Sequence, residues 1–548
     1  MASEGEAELG ENAQNTHTIG KIKISLKTVL GKGAYGVVYK GEFGGRAVAV
    51  KRVMAGTNVD REAALHMKCD AHENVLRYLW KEKDPHLEDT YLVLELCLGT
   101  LADYVQGKMK EIDKHNKELL EGTTKGLCHL HKLGIVHRDV KSTNILITRP
   151  ESGVVKAVIS DFGFSKEVNK GRQSFSVSEG WKGTLEWMAP ELLTGRDECS
   201  LRANTSVDVY SLGCVYFYVL SGGLMPFGGK TNFDLMDNIK SGIKARVPPG
   251  TDVAARSLID LMTCVEATSR PAIDGIIHHP FFWGKQQRLN FIEVVSDHLH
   301  SGRWPRICQV LEDSREVILG SIQADWVDIL RYRRPDLFPL IEYLENPPHR
   351  ISARYEFWSV NSLLRAIRNN SHHYDTLPMD IQATLGIGEG GSPKTIVSEV
   401  FFDIFPCMLV GTWYTILGEI GRQPAGQQSL KDFYHDSWVR YSANVNFNVN
   451  VKLRGSLRAC AAQLTATANR GPPAAEPSFQ GFLSAQDLPL PPSSQMQARA
   501  PPPLFVPQGP MVAAQMQPRP TTSLLLQNNM GELYSLPHQE LHQYLHHQ

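Results

Sequence analysis

The chain has 548 residues, with 57 lysines and arginines against 58 aspartates and glutamates and a hydrophobic fraction of 42%. At about 150 residues per domain, that length sets an expectation of two to four units and excludes a single ordinary core. Near-zero net charge excludes attraction of nucleic acid by the field of the whole molecule, so any such attraction must come from a local patch.

Nine cysteines (69, 97, 128, 199, 214, 264, 308, 407, 460) are odd in number, scattered and never in C-x-x-C spacing. This argues against a disulfide framework and against a zinc site, and fits a reducing cytosol. The opening "MASEGEAELGENAQNTHT" is acidic and polar, which excludes a secretory signal, and residues 1–20 are expected to be disordered. From "KISLKTVLGKGAYGVVYKGEFGGRAVAVKRV" onward, β-branched residues alternate with polar ones between glycines, the pattern of strands. Near Thr100 the apolar spacing changes to three and four, as in "ADYVQGKMKEIDKHNKELLEG", and predicts a helical second lobe. The uncharged run from Val209 to Gly229 is about long enough to span a bilayer, but glycines and a proline crowd its last third. It reads as a buried helix ending near Leu220.

A third block, from "WGKQQRLNFIEVVSDHL" to "CMLVGTWYTILGEI", is again helical and follows without a proline-rich linker. It should pack with the lobe before it as one rigid body. Past Arg422 the order is expected to fade, since thirteen of the 31 prolines fall between Gly471 and Pro520 among Gln, Ala and Ser. Stretches such as "APPPLFVPQGP" have the composition of a linker, or of a polyproline II ligand for a proline-reading module. The expected division is a disordered N-terminus at 1–20, domains at 21–283 and 284–422, and a low-complexity, mostly disordered Pro/Gln-rich tail at 423–548.

"GKGAYGVV" places Gly31, Gly33 and Gly36 where a backbone without Cβ atoms can fold over a triphosphate. "VAVK" then supplies Lys51 for the α- and β-phosphates, and "DREAAL" supplies Glu62 to pair with it. "HRDVKSTN" gives Asp139, Lys141 and Asn144, and "DFG" gives Asp161. An aspartate to take a hydroxyl proton, two Mg²⁺ ligands (Asn144 and Asp161) and a lysine near the γ-phosphate together serve a loose phosphoryl-transfer transition state. "APE" at 189–191 and Arg270 in "SRP" complete an ordered set. Residues 21 to about 283 therefore resemble a eukaryotic protein kinase, a two-lobed fold that binds ATP and Mg²⁺. The resemblance adds Glu95 and Cys97 of "LELC" to the nucleotide site, and Lys141 matches the serine/threonine class. Between "DFG" and "APE", Ser174, Ser176 and Ser178 are candidate phosphorylation sites, with Arg138 as a partner for the phosphate.

In "SVNSLLRAIRNNSHHY", Val360, Leu363, Leu364 and Ile367 form an apolar stripe at helical spacing, with Ser359 as N-cap. Arginines 350, 354, 365 and 368 face a single acid, Glu356, over 349–368, and so supply the local positive patch. "LLRAIRN" followed by "HHY" and "LP", directly after a kinase, resembles the inositol-requiring enzyme family. These are the kinase/endoribonucleases of the unfolded protein response, which join an all-α ribonuclease (KEN) domain to the kinase. The whole is thus expected to be an α+β chain. By the family's motif, Tyr355 and His373 are general base and general acid, with Arg368 and Asn369 holding the scissile phosphate. A free phenol is a poor base at neutral pH, so Arg368 is expected to favour the phenolate. His372 is given a structural role.

The resemblance further implies cleavage of stem-loop RNA without a metal, activation by autophosphorylation, and a back-to-back homodimer held by a charge network to which Arg46, Asp70 and Arg77 correspond. Several features depart from the family. Asn370 and Ser371 stand where basic residues are usual, and "RRPDLFPLIEYLENPPHRIS" lengthens the approach to Tyr355. Phe357 and Trp358 replace small residues and are open to either core packing or stacking on unpaired bases. No lumenal sensor or membrane span precedes the kinase, so the expected location is the cytoplasm, or the cytosolic face of the endoplasmic reticulum for a fragment. Three alternatives remain: a pseudokinase scaffold, a signalling kinase whose helical appendage only binds partners, and a ribonuclease L-like effector.

Overall fold

The computed structural model describes residues 16–444, apart from 34–35, 55–58, 70, 150–152, 168–174, 177–182, 194–201, 303, 321–324, 348–353, 387–391 and 423–427. Beyond these it describes the strands Leu524–Gln527 and Leu533–Leu536. "GVVYKGEF" and "RAVAVKRV" lie in an antiparallel sheet built from β1 (Thr16–Ile19), β2 (Ile22–Gly33), β3 (Gly36–Phe43), β4 (Arg46–Val53), β5 (Tyr78–Lys83) and β6 (Thr90–Glu95), and β4 is covered on both faces, with Val48 and Val50 in one apolar cluster and Ala49 in another. Their order across the sheet is β1-β2-β3-β4-β6-β5. β1 starts within the stretch expected to be disordered: Thr16 pairs with Ser25 and Ile19 with Ile22, because Ile19, Ile22 and Ile24 share a small apolar cluster with Val48, Val50 and Val93. Helix α1 (Val59–Cys69) packs against this sheet and turns Ala63 and Leu65 inward.

The second lobe is helical, as the spacing predicts. Its principal helices are α2 (Asn116–Lys132), α3 (Ser206–Leu220) and α4 (Val253–Met262). α3 ends at Leu220, and protein surrounds it on all sides: Val209, Leu212, Val215, Tyr216 and Phe217 are each at most 2% exposed. Its lack of charge is therefore that of a core helix. Among the described residues no single helix is long and apolar enough to cross a membrane.

The third block supplies α5 (Lys285–His300), α6 (Pro305–Asp313), α7 (Trp326–Arg333), α8 (Val360–His372), α9 (Pro393–Ile404) and α10 (Met408–Arg422). α9 and α10 meet at 88°, and their apolar faces, including Phe401, Trp413 and Ile416, are buried. Within the insertion before Tyr355, Phe338–Glu345 forms a short helix, which buries Leu340, Ile341 and Leu344. One contiguous apolar core runs from Leu127 and Leu212 in the kinase-like lobe to Leu363 and Trp413 in the third block, so the two pack together as expected.

The chain divides into two compact units, Met1–Ala474 and Ala475–Gln548. Order continues past the boundary at 422 that composition suggests. Residues Gln428–Phe433 form a 3₁₀ turn, and α11 (Asp436–Asn444) follows it. The Trp438 indole donates to the carbonyl of Gly275 at 2.7 Å, and the Tyr441 hydroxyl donates to that of Ser269 at 2.7 Å. Two aromatic anchors hold this segment, a signal that a count of prolines and glutamines overlooks. In the second unit, the two described strands pair antiparallel, with Leu524 opposite Leu536.

Candidate functional site

Lys51 on β4 is buried, and its Nζ lies 2.7 Å from Glu62 Oε1 on α1 and 3.0 Å from Asp161 Oδ1. Burial pushes the lysine's pKa down, but the carboxylates of Asp161 and Glu62 outweigh it and hold the ammonium above its ordinary value. For Asp161 burial pushes the pKa up, and the charge of Lys51 reverses this and holds it below the usual carboxylate range. Lys51 and Asp161 therefore both stay ionised around neutrality, with the lysine on β4 opposite Val38 of β3. Gly36, the first residue of β3, has φ +150, and a Cβ there would lie 1.9 Å from the Arg52 carbonyl oxygen, so no other residue fits. Gly31 and Gly33 border open space. Val38, Ala49 and Leu94 from the sheet meet Leu146 and Cys97 in one apolar cluster at the lobe junction, and the Glu95 carboxylate accepts from Thr148 Oγ1 at 2.9 Å. Burial pushes the Cys97 thiol up to about 12, so it stays a neutral thiol.

Asp139 is the centre of a polar cluster. Its Oδ2 accepts from Lys141 Nζ at 2.7 Å and Asn144 Nδ2 at 2.9 Å, and its Oδ1 accepts from Thr184 Oγ1 at 3.1 Å. Lys141 also donates to Thr184 Oγ1 at 2.7 Å. Asn144 spends its amide nitrogen on Asp139, which turns its oxygen to the other side. With the Asp161 carboxylate this gives a pair of hard oxygen donors of the kind that bind a hydrated divalent ion together with phosphates.

Sequence reasoning passed over two residues here. Thr184 was hidden in the polar segment before "APE", where its fixed distance ahead of that motif was the available signal. Asp208 lies in the first turn of α3, just before the uncharged run that begins at Val209. It is fully buried and accepts from the backbone N–H groups of His137 and Arg138, both at 2.8 Å, and from His131 Nε2 at 2.9 Å. Arg138 sits at φ 71, a backbone strain that these bonds hold in place beside the catalytic loop. The Arg270 guanidinium grips Glu191 of "APE" by two bonds of 2.6 and 2.7 Å.

Ser174 and Ser178 lie outside the described residues. The backbone of Ser176 pairs with that of Arg202 in a short two-stranded ladder. Arg46 and Arg77 are exposed on the sheet lobe, and Asp70 lies outside the described residues.

The second site is carried by α8. Val360, Leu363, Leu364 and Ile367 are fully buried, and Ser359 caps the helix by accepting from the N–H of Ser362. The stripe pins the rotation of the helix, which sets Arg365, Arg368 and Asn369 at its margin. Asn369 donates through Nδ2 to the Tyr355 hydroxyl at 3.3 Å and accepts from Arg368 Nη1 at 3.1 Å. Phenol, amide and guanidinium thus form one chain. Arg368 Nε also lies 3.0 Å from Asp297 Oδ1 on α5, but off the line that a hydrogen bond requires.

A second cation stands against the phenol ring. The Arg365 guanidinium stands over the Tyr355 ring, 5.1 Å from its centroid, and donates to the Arg354 carbonyl at 2.9 Å. Its Nε is buried without a hydrogen-bond partner. Three residues apart, both arginines lie on one side of α8, and sequence spacing does not say which one covers a ring on the preceding loop. His373 ends α8 with its side chain exposed, one turn beyond Asn369, and its N–H bonds to the Asn369 carbonyl at 3.0 Å. His372 Nε2 faces Glu293 Oε1 at 3.2 Å. Asn370 and Ser371 are buried, where a charged side chain would lose its solvation without a partner.

The two lobes and the triad of Lys51, Glu62 and Asp161 define a protein kinase fold, and the block after it is a helical domain with its own polar site. A family model for the protein kinase domain matches residues 24–282, and one for ribonuclease 2-5A matches residues 288–428. The chain is 37% identical over 413 residues to the human serine/threonine-protein kinase/endoribonuclease IRE2, an alignment covering 73% of this chain and 42% of that protein. It is 37% identical over 381 residues to the Caenorhabditis elegans serine/threonine-protein kinase/endoribonuclease ire-1, covering 67% and 37% respectively. It is 30% identical over 444 residues to the sensor for unfolded proteins in the ER ire1 of Schizosaccharomyces pombe, covering 75% and 39%. The chain spans about two fifths of the length of these relatives. Over residues 24–428 it belongs to the serine/threonine kinase/endoribonuclease family.

Proposed function

We propose that the chain is a serine/threonine kinase that uses ATP with Mg²⁺, joined to an endoribonuclease that cleaves stem-loop RNA without a metal. In the kinase, residues 21–283, the loop of Gly31, Gly33 and Gly36 covers the phosphates and Lys51 grips them. Glu95 and Cys97 border the adenine, Asp139 takes the hydroxyl proton, and Lys141 neutralises the γ-phosphate. Asn144 and Asp161 hold Mg²⁺, which supplies charge neutralisation on the transferred group.

In the nuclease domain, from residue 284 onward, Tyr355 removes the proton of the ribose 2′-hydroxyl. The 2′-oxygen attacks phosphorus, the bond from phosphorus to the 5′-oxygen breaks, and His373 protonates that oxygen. Arg368 and Asn369 hold the charged phosphate while the bonds change. The products are a 2′,3′-cyclic phosphate and a 5′-hydroxyl. The observation that carries this reading is the chain Arg368–Asn369–Tyr355 at the end of α8, one helical turn from His373.

Pairing of two protomers through Arg46, Asp70 and Arg77, autophosphorylation at Ser174, Ser176 or Ser178, and a cytosolic site of action, at the endoplasmic reticulum face for a fragment, belong to the same reading. So does the docking of proline-motif readers on the tail. The test is incubation with a hairpin RNA in EDTA, with end-group analysis. Wild type is expected to leave cyclic phosphate ends and His373→Ala to leave the RNA intact, while in a separate assay with Mg²⁺ and ATP its phosphotransfer continues. A 3′-hydroxyl product, or cleavage that needs a divalent ion, contradicts the reading. An uncut hairpin in both proteins favours an appendage that only binds partners.

A further inference from the structure

The approach to α8 alternates between inside and outside. Tyr355 and Phe357 turn inward, whereas Arg354, Glu356 and Trp358 are exposed. Phe357 settles one of two open readings: it packs on the core with its ring 5.1 Å from that of Trp326, and its carbonyl accepts from the Trp326 N–H. Trp358 is the opposite case. At 55% it is the most exposed of the described tryptophans, and the Arg315 guanidinium lies 4.5 Å from its ring centroid. Arg315 opens a short helix, Arg315–Leu319, whose Val317, Ile318 and Leu319 are buried, so this cation projects from a fixed base.

A single exposed aromatic is ordinary on a protein surface. Three features set this one apart. A cation backs one face of the indole and leaves the rest of the ring open. The residue directly precedes the N-cap of α8, in a turn closed by the Ser359 N–H, which bonds to the Glu356 carbonyl at 3.0 Å. Finally, three residues separate it from Tyr355, which holds the two Cα atoms within about 11 Å, a span of one or two nucleotides.

We propose that Trp358, backed by Arg315, is a stacking platform for an unpaired base of the RNA next to the scissile phosphate. This rests on the nuclease reading above and adds a substrate preference to it. Sequence-selective reading of RNA works through bases out of the duplex, which stack on aromatic rings. An indole carrying a guanidinium offers such a base a flat surface and offers the adjoining phosphates a positive charge. The platform selects cleavage sites in loops over those in stems.

The test uses the full chain and compares wild type, Trp358→Ala and Trp358→Phe. Substrates are an intact hairpin and hairpins with one abasic residue at each position flanking the cut. Trp358→Ala is expected to raise KM about 10-fold with kcat nearly unchanged, and Trp358→Phe to recover most of the loss. On one of the abasic hairpins, wild type and Trp358→Ala should become equal. Unchanged KM in Trp358→Ala overturns the proposal, as does a loss of the same size on every abasic hairpin, which would assign Trp358 to the fold or to contact with a second copy. Failure of wild type to cut or bind the intact hairpin is a different result, which removes the nuclease reading and this subsite with it.

Discussion

Arg365 and Arg368 are three residues apart on one helix and have different work. Arg365 covers the Tyr355 ring, and Arg368 joins Asn369 and faces Asp297. Their variants should therefore separate kinetically. Arg365→Gln is expected to lower kcat for RNA cleavage with KM little changed, because its cation faces the proposed base. Arg368→Gln should raise KM as well, because its cation meets the phosphate. Tyr355→Phe keeps the ring under Arg365 and removes only the hydroxyl, and is expected to lower kcat by about 10²–10⁴ while phosphotransfer to protein persists. Steady-state cleavage assays of the three variants decide the assignment.

The kinase residues were legible in the chain because each motif carries its own local geometry. The arginine over Tyr355 was not, since choosing it requires the rotation of α8 relative to a loop ten residues upstream. Thr184 and Asp208 were missed for the same reason: their partners lie 45 and 70 residues away.

At the scale of the element, α8 was legible in full, from N-cap to apolar stripe, because a helix announces itself through spacing. What holds it was not. Glu312 at the end of α6 accepts from Ser359 Oγ at 2.7 Å and from the N–H groups of Val360 and Asn361, both at 3.0 Å. A carboxylate on two orphan donors at a helix N-terminus is favoured both by hydrogen bonding and by the helix dipole. Nothing in the sequence pairs Glu312 with residues nearly fifty positions later. Replacing it with glutamine removes the charge and keeps the shape. The expected cost is about 1–2 kcal/mol of stability by urea denaturation, with a parallel fall in RNA cleavage. Unchanged stability would show that α8 is held by its buried stripe alone.

For the whole molecule, the kinase and the helical domain were expected to pack as one body, and they share a core in which histidines are buried as neutral rings. His279 bonds through Nε2 to the Tyr414 hydroxyl at 2.8 Å, and its Nδ1 accepts from the Phe281 N–H, so the proton sits on Nε2. Burial lowers its pKa to about 3. His66 is likewise held at about 3, by burial and then by the charge of Lys51. Both folded values lie below the unfolded value of about 6.5. As pH falls through 6.5, the unfolded chain takes up protons that the folded rings refuse. Stability is therefore full above that pH and is lost progressively toward pH 3. Between pH 7 and 5.5 the two rings should together cost about 2–3 kcal/mol, and His279→Gln should make the decline shallower. Urea melts at the two pH values measure it.

The return of α11 to the kinase lobe has a consequence for how the protein is made. Trp438 and Tyr441 seal a surface around Gly275 and Ser269, laid down 163 and 172 residues earlier. A ribosome adding roughly 5–20 residues per second needs about ten to thirty seconds to cover that interval. During it, the nascent kinase lobe waits with that face bare, within reach of whatever chaperones attend the exit tunnel.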